Sequence, residues 1–156
     1  MGKATIANRE EVLEKAKVII RIFEGLELKP YICKGGCLTI GYGHRVYSKE
    51  SLLNFTEDDA EKFLHSDVLL AYSNLRKVLK IELNSNQQAA LVSLIFNIGF
   101  ENFKESTLLK CINSGKLTQA ADEFNRWVHA KGKVLKGLTR RRAYEKIVFT
   151  HNHEAH

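Results

Sequence analysis

Proline is nearly absent from this chain, with one in 156 residues, and there is one tryptophan, one methionine and only three cysteines. A hydrophobic fraction of 44% with so little proline excludes a disordered or low-complexity chain. Three cysteines fit neither a small secreted disulfide scaffold nor a paired zinc motif. No stretch approaches the roughly 18 consecutive apolar residues of a membrane span, so no stable membrane insertion is expected. The first eight residues lack a basic start followed by an apolar core. Arg9, Glu10, Glu11, Glu14, Lys15 and Lys17 break up the next stretch, so no signal peptide is read. There is no internal repeat and no clear linker.

What is present suffices for one domain, long enough to bury roughly two thirds of its unfolded surface. The net charge of +6 favours an anionic partner without choosing among nucleic acid, acidic glycan and membrane. The charge thickens at Lys131, Lys133, Lys136, Arg140, Arg141 and Arg142, where a solvated helix face is the plain reading. With no helix-turn-helix signature and no interleaved aromatic and basic residues, no nucleic-acid partner is expected.

Local signals give a mostly helical chain. Asn8 and Glu11 form a capping-box pattern ahead of Leu13, Ala16, Ile20 and Phe23 at helical spacing, and Gly25 stops that helix. From Lys29 to His44 the pattern changes to Tyr31, Ile32, Leu38 and Ile40 around Lys34-Gly35-Gly36, a hairpin, with Gly41 and Gly43 marking a second bend. Thr56 opens a long helix with Glu57, Asp58 and Asp59 in its first turn and a stripe of Leu64, Val68, Ala71, Leu75 and Leu79. Such a helix spans about 30 Å and can link two lobes.

Ser85 with Gln88 reads as another capping box, opening a helix through Ile98 too apolar for one-sided burial. Ser106 caps Thr107 to Asn113, Thr118 starts a short helix, and the segment from Ala130 to Gly137 reads as a basic loop. Thr139 caps the last helix, with Tyr144, Ile147 and Val148 facing inward. His151, His153 and His156 belong to a polar tail, and no metal or other cofactor is expected. The fold is therefore α+β and predominantly helical. A small hairpin-bearing lobe spans 24–56, a connecting helix 57–80 and a larger helical lobe 81–150. Helix 8–23 packs on the larger lobe, and 151–156 is the tail.

The chemistry concentrates around Glu24. It follows an apolar Phe23 and abuts Gly25, so it can lie half shielded at a lobe junction, where burial penalises a charged carboxylate as a general acid requires. Glu24-Gly25-Leu26, then Tyr31, then Thr39-Ile40-Gly41-Tyr42-Gly43-His44 resembles the active-site signature of phage-type lysozymes, the lambdoid and podovirus branch especially. Ala89-Ala90-Leu91-Val92-Ser93, Phe96-Asn97-Ile98-Gly99-Phe100, Ser106-Thr107-Leu108-Leu109, Phe124-Asn125-Arg126-Trp127 and Gly137-Leu138-Thr139-Arg140-Arg141-Arg142 extend the likeness.

The resemblance implies a lysozyme-like fold and a monomeric endolysin acting on bacterial peptidoglycan, at the β-1,4 bond between N-acetylmuramic acid and N-acetylglucosamine. Glu24 would be the acid, and Thr39 the threonine that helps handle the attacking water. The enzyme would wait in the host cytoplasm until a separate pore admits it to the wall.

One position departs from the family. Where the resemblance expects an aspartate, six residues before Thr39, the chain has Cys33. Three readings stand. Cys33 is a small apolar strand residue, as free cysteines often are, leaving a weak or inactive peptidoglycan-binding protein or one that borrows Glu27. Alternatively, its thiolate assists water or attacks the sugar, which needs a nearby cation such as Lys34 or Arg142. Or it pairs with Cys37 as a disulfide lock, since cross-strand Cβ atoms come within about 4.5 Å and a disulfide needs about 3.8 Å. The resemblance further implies a His44–Asp67 pair holding the hairpin to the long helix, and an arginine facing Glu24, Arg142 or failing that Arg141. Asn97 and Trp127 would lie near the cleft floor.

Overall fold

The structure, a computed structural model, describes residues 8–33, 36–46 and 54–151. Helix α1 (Arg9–Glu24) begins where Asn8 Oδ1 accepts the backbone N–H groups of Glu10 and Glu11. It buries Val12, Leu13, Ala16, Ile19 and Ile20 on one face. Gly25, at φ +68°, ends it in a conformation that a side chain would strain.

Strands β1 (Glu27–Ile32), β2 (Leu38–Gly41) and β3 (His44–Arg45) form an antiparallel sheet in that order. Tyr31 lies opposite Thr39 and Ile32 opposite Leu38, with an irregularity between Glu27 and Tyr31. Helix α2 (Glu57–Val78) starts with a reciprocal box between Thr56 and Asp59, and the backbone N–H of Thr56 holds the Asp59 carboxyl below its ordinary range. Its 22 residues bury Ala60 and, from the expected stripe, Leu64, Val68, Ala71 and Leu75; the last expected member, Leu79, is the C-cap beyond the helix and only partly buried.

Helix α3 (Ser85–Ile98) is buried on nearly every side. Its cap is Asn84 with Gln87, one residue before the expected Ser85 and Gln88. Both pairs have capping chemistry, and tertiary contacts set the register: Lys15 Nζ donates to Ser85 Oγ and Asn86 Oδ1, while Gln88 Nε2 donates to Leu83 O. Helices α4 (Phe100–Lys104), α5 (Thr107–Asn113) and α6 (Leu117–Glu123) and a 3-10 turn at Phe124–Arg126 complete the wall. Ser106 caps α5 through Leu109 N–H, as expected, whereas Thr118 lies one residue inside α6. Phe103, Leu108, Ile112 and Phe124 join α1, α2 and α3 in one apolar core.

The expected basic loop contains a second hairpin, β4 (His129–Ala130) with β5 (Lys133–Val134), turning through Lys131 and Gly132 at φ +52° and +79°. Two consecutive positive φ values match the twist of a tight hairpin. Helix α7 (Lys136–Thr150) begins before Thr139, whose Oγ1 bonds back to Leu135 O instead of capping. Its inward face also corrects the sequence reading. Arg141, Arg142, Glu145 and Phe149 are buried, while Tyr144 and Ile147 are 37% and 67% exposed. The expected apolar face loses because a charged cluster occupies the interior. His153 and His156 lie outside the described residues.

Candidate active site

Glu24 is the last residue of α1, and its side chain is 19% exposed. Two features fix it. Arg141 Nη1 donates to Oε2 at 2.7 Å across a sequence separation of 117. On the other side Gly43, at φ +77°, approaches so closely that a Cβ there would stand 2.6 Å from Glu24 Cδ and Oε1. Any side chain at this position would have to displace the Glu24 carboxyl.

Behind Glu24 lies a buried charged cluster. Arg141 Nε is 3.3 Å from Glu145 Oε2, which also accepts Ser93 Oγ–H at 2.6 Å. Arg142 Nε lies 3.2 Å from Glu145 Oε1, at ion-pair distance but not aligned as a hydrogen bond, and Arg142 Nη2 donates to Asn97 Oδ1. The cluster sets two carboxyl groups against two guanidinium groups. Burial pulls the Arg142 guanidinium down to about 10, opposed by Glu145 and helped by Arg141.

The expectation that Arg142 faces Glu24 is thereby corrected to Arg141. Successive helical positions point about 100° apart: Arg141 turns to the end of α1, and Arg142 turns to α3. Glu145 was missed altogether. Its signal was readable, since a glutamate four residues after Arg141 and three after Arg142 is placed to pair with both.

Cys33 follows β1 and Cys37 precedes β2. Cys33 N–H donates to Cys37 O at 2.8 Å, and Cys37 N–H donates to Cys33 Sγ at 3.3 Å. The sulfurs are not joined in a disulfide. A guanidinium N–H of Arg45 donates to Cys37 Sγ. Thr39 is buried and donates Oγ1–H to Cys37 O at 2.9 Å, leaving its oxygen lone pairs to accept.

Tyr31, opposite Thr39, links turn and acid electrostatically. Its phenol is pushed up to about 12, first by burial and then by the charges of Glu24, Cys33 and Glu27. Lys34, an expected cation, lies outside the described residues, and Arg142 is committed to Glu145 and Asn97.

His44 Nδ1 lies 2.7 Å from Asp67 Oδ2, its ring 4.3 Å from that of Phe63, so β3 is tied to α2. Arg21 ties α1 to the same helix by donating to both carboxylate oxygens of Glu61, which holds that carboxyl below its ordinary range. Trp127 packs on the core and lines a polar groove of about 410 Å³ with Asn102, Ser106, Glu123 and Arg126. No member of the acid and hairpin set lines that groove. Among the described residues no group of three metal-ligating side chains occurs, and no helix is long and apolar enough to cross a membrane.

Comparison with known proteins places this geometry in context. The phage lysozyme family profile matches residues 21–145. The endolysin of Acyrthosiphon pisum secondary endosymbiont phage 1 is 40% identical over 142 residues, covering 88% of this chain and 97% of that one. The endolysin of Bacillus phage PZA is 40% identical over 133 residues and 84% of this chain, which spans only 52% of that relative's length. Among solved structures, the muramidase domain of SpmX from Asticaccaulis excentricus matches with a TM-score of 0.77 at 34% identity, over 96% of this chain and 100% of that one.

Proposed function

The chain belongs to the phage lysozyme family and is a lysozyme-type glycoside hydrolase, and from that premise we propose that it is an endolysin cleaving the β-1,4 bond between N-acetylmuramic acid and N-acetylglucosamine. Glu24 is the general acid, and Cys33 with Thr39 handles the attacking water. The observation that carries this reading is the placement of Glu24, clamped by Arg141 and Gly43 at one end of a sheet whose other end holds Cys33 and Thr39.

In the reaction, the bond between the anomeric carbon and the glycosidic oxygen breaks, and the departing oxygen takes the proton of Glu24. Water forms the new bond to the anomeric carbon. Its proton passes to the Cys33 sulfur, while the Thr39 oxygen accepts a hydrogen bond from the water and orients it. A thiolate that works through water predicts inversion at the anomeric carbon, whereas direct attack by sulfur predicts retention.

Arg141 and Gly43 position the acid. The His44–Asp67 pair keeps the hairpin seated on α2. The positive net charge suits the anionic bacterial envelope. The protein acts as a monomer, made in the host cytoplasm and reaching the wall through a separate pore.

Release of new reducing ends from purified peptidoglycan tests the proposal. Glu24→Gln should lose about 10²–10⁴-fold in rate. Cys33→Ser should fall at least tenfold while Cys33→Asp keeps measurable turnover. A wild type that binds peptidoglycan but releases no ends supports the rival reading of a catalytically inactive binding protein, for which the cysteine at the aspartate position is the motive. If Cys33→Ser matches wild type, the thiol role falls and the acid role stands.

A further inference from the structure

The turn that closes on Glu24 has one side chain of its own to hold it. Gly41 and Gly43 flank Tyr42, at φ +69° and +77°, and a glycine on each side leaves the backbone free to take other courses. All three residues are nonetheless seated on helices. A Cβ placed on Gly41 would meet that of Ala60 in α2 at 3.3 Å, and one placed on Gly43 would meet the carboxyl at the end of α1. Between them the Tyr42 ring packs against the core, with the Arg21 guanidinium over it at 5.8 Å from its centroid. A cation at that distance from an aromatic face is attracted by the ring quadrupole.

Arg21 stands three residues before Glu24 in α1, and its carbonyl accepts the N–H of Gly25. Its guanidinium also donates through Nε and Nη2 to the two carboxylate oxygens of Glu61 in α2. That forked pairing fixes the plane presented to the ring, which a single point charge could not do. Burial first, and then the charge of Glu61, push the Tyr42 phenol up. Tyr42 in turn adds to the pull by which Arg21 holds the Glu61 carboxyl down. Ring, guanidinium and carboxylate thus join the glycine-flanked turn to the last turn of α1 and to α2.

We propose that Tyr42 is a positioning residue for the acid: held beneath Arg21, it pins the turn so that Gly43 stays against the Glu24 carboxyl. Arg141 holds one carboxylate oxygen, Oε2, and Gly43 walls the side of the other, Oε1. Without the Tyr42 ring that wall can drift, and the acid loses its direction while the rest of the cleft stays in place. This role rests on the reading of Glu24 as the general acid.

The test is reducing-end release from purified peptidoglycan, with each rate divided by the folded fraction from thermal unfolding. Tyr42→Ala should lose ten- to a hundredfold in kcat, with KM within about twofold of wild type. Tyr42→Phe keeps the ring beneath the guanidinium and should return kcat to within about threefold. Arg21→Gln should lower kcat as Tyr42→Ala does, and the double variant should fall no more than about twofold below the weaker single one, as expected of residues that act as a unit. In Glu24→Gln, adding Tyr42→Ala should leave the residual rate unchanged, because the effect runs through the acid.

Wild-type kcat in folded Tyr42→Ala overturns the role. So does a Tyr42→Phe no better than alanine, an additive double variant, or a further loss in the Glu24→Gln background. Glu24→Gln alone judges the reading beneath it: full turnover there removes the general acid, whereas turnover lost there and normal in Tyr42→Ala removes the positioning role alone.

Discussion

Glu24 and Glu145 share one guanidinium: Arg141 donates to Glu24 from Nη1 at 2.7 Å and lies 3.3 Å from Glu145 through Nε. A planar fork can meet two carboxylates in fixed directions, and a lysine ammonium cannot. Arg141 is 3% exposed, so the pairing is little screened by solvent. Arg141→Lys should lower stability by about 2–3 kcal/mol in urea titration and lower kcat/KM at least tenfold. Equal activity in the two proteins would show that the clamp does not orient the acid.

Glu145→Gln isolates the buried half of the same cluster. Glu145 and Arg142 are fully buried, and neutralising the carboxylate leaves two guanidinium groups without their shared counter-charge. Removing one partner from such a cluster costs about 3–5 kcal/mol. Chemical denaturation measures it, and a loss under about 1 kcal/mol would mean that the cluster is held by packing instead.

Gly43→Ala should separate activity from stability. The new methyl would fall 2.6 Å from Glu24 Cδ, and residue 43 stays at positive φ, which costs an alanine about 1–2 kcal/mol. Displacement of the acid should cut turnover about a hundredfold or more, approaching Glu24→Gln. Near-normal turnover would place the reacting carboxylate elsewhere.

Tyr31 sets an alkaline limit. Its phenol titrates near 12 instead of 10, so folding disfavours its ionised form. The unfolded chain loses this proton first. The contribution to stability is complete below pH 10 and declines as pH rises from 10 towards 12. Urea midpoints between about pH 9 and 11.5 should fall more steeply for wild type than for Tyr31→Phe, and parallel curves would contradict the shift.

Asp67→Asn should act on the fold more than on the reaction. The carboxylate holds His44 at 2.7 Å, and a hydrogen bond to a charged group contributes about 1.5–3 kcal/mol. Thermal unfolding should show that loss while kcat stays within about threefold once folded enzyme is counted. A loss of turnover at full stability would give the pair a chemical role.

Helix ends and the sheet were legible because their determinants are local. Asn8, Thr56 and Ser106 cap as their side-chain chemistry dictates, and Gly25 stops α1 at positive φ. Asn84 beat Ser85 to the α3 cap because Lys15, 70 residues from Ser85 in sequence, engages Ser85 and Asn86. Helix α7 was misread for a deeper reason. Hydrophobic periodicity assumes that charges face water, and here Arg141, Arg142 and Glu145 face one another inside, pushing Tyr144 and Ile147 to the surface. Of the site, Glu24 and Thr39 came from a motif with fixed spacing. The choice between adjacent arginines depends on helix rotation, and the seating of Tyr42 beneath Arg21 depends on the turn after β2 meeting α1, which no local pattern records.

The long reach of Arg141 also sets the order in which this site is assembled during synthesis. Glu24 leaves the ribosome 117 residues ahead of the arginine that clamps it. A nascent chain carries this carboxylate, its hairpin and most of its core through the synthesis of those residues with the clamp still unmade. On the role proposed for Glu24, lytic competence waits for α7, and a chain stalled before it has the carboxylate but no grip on it.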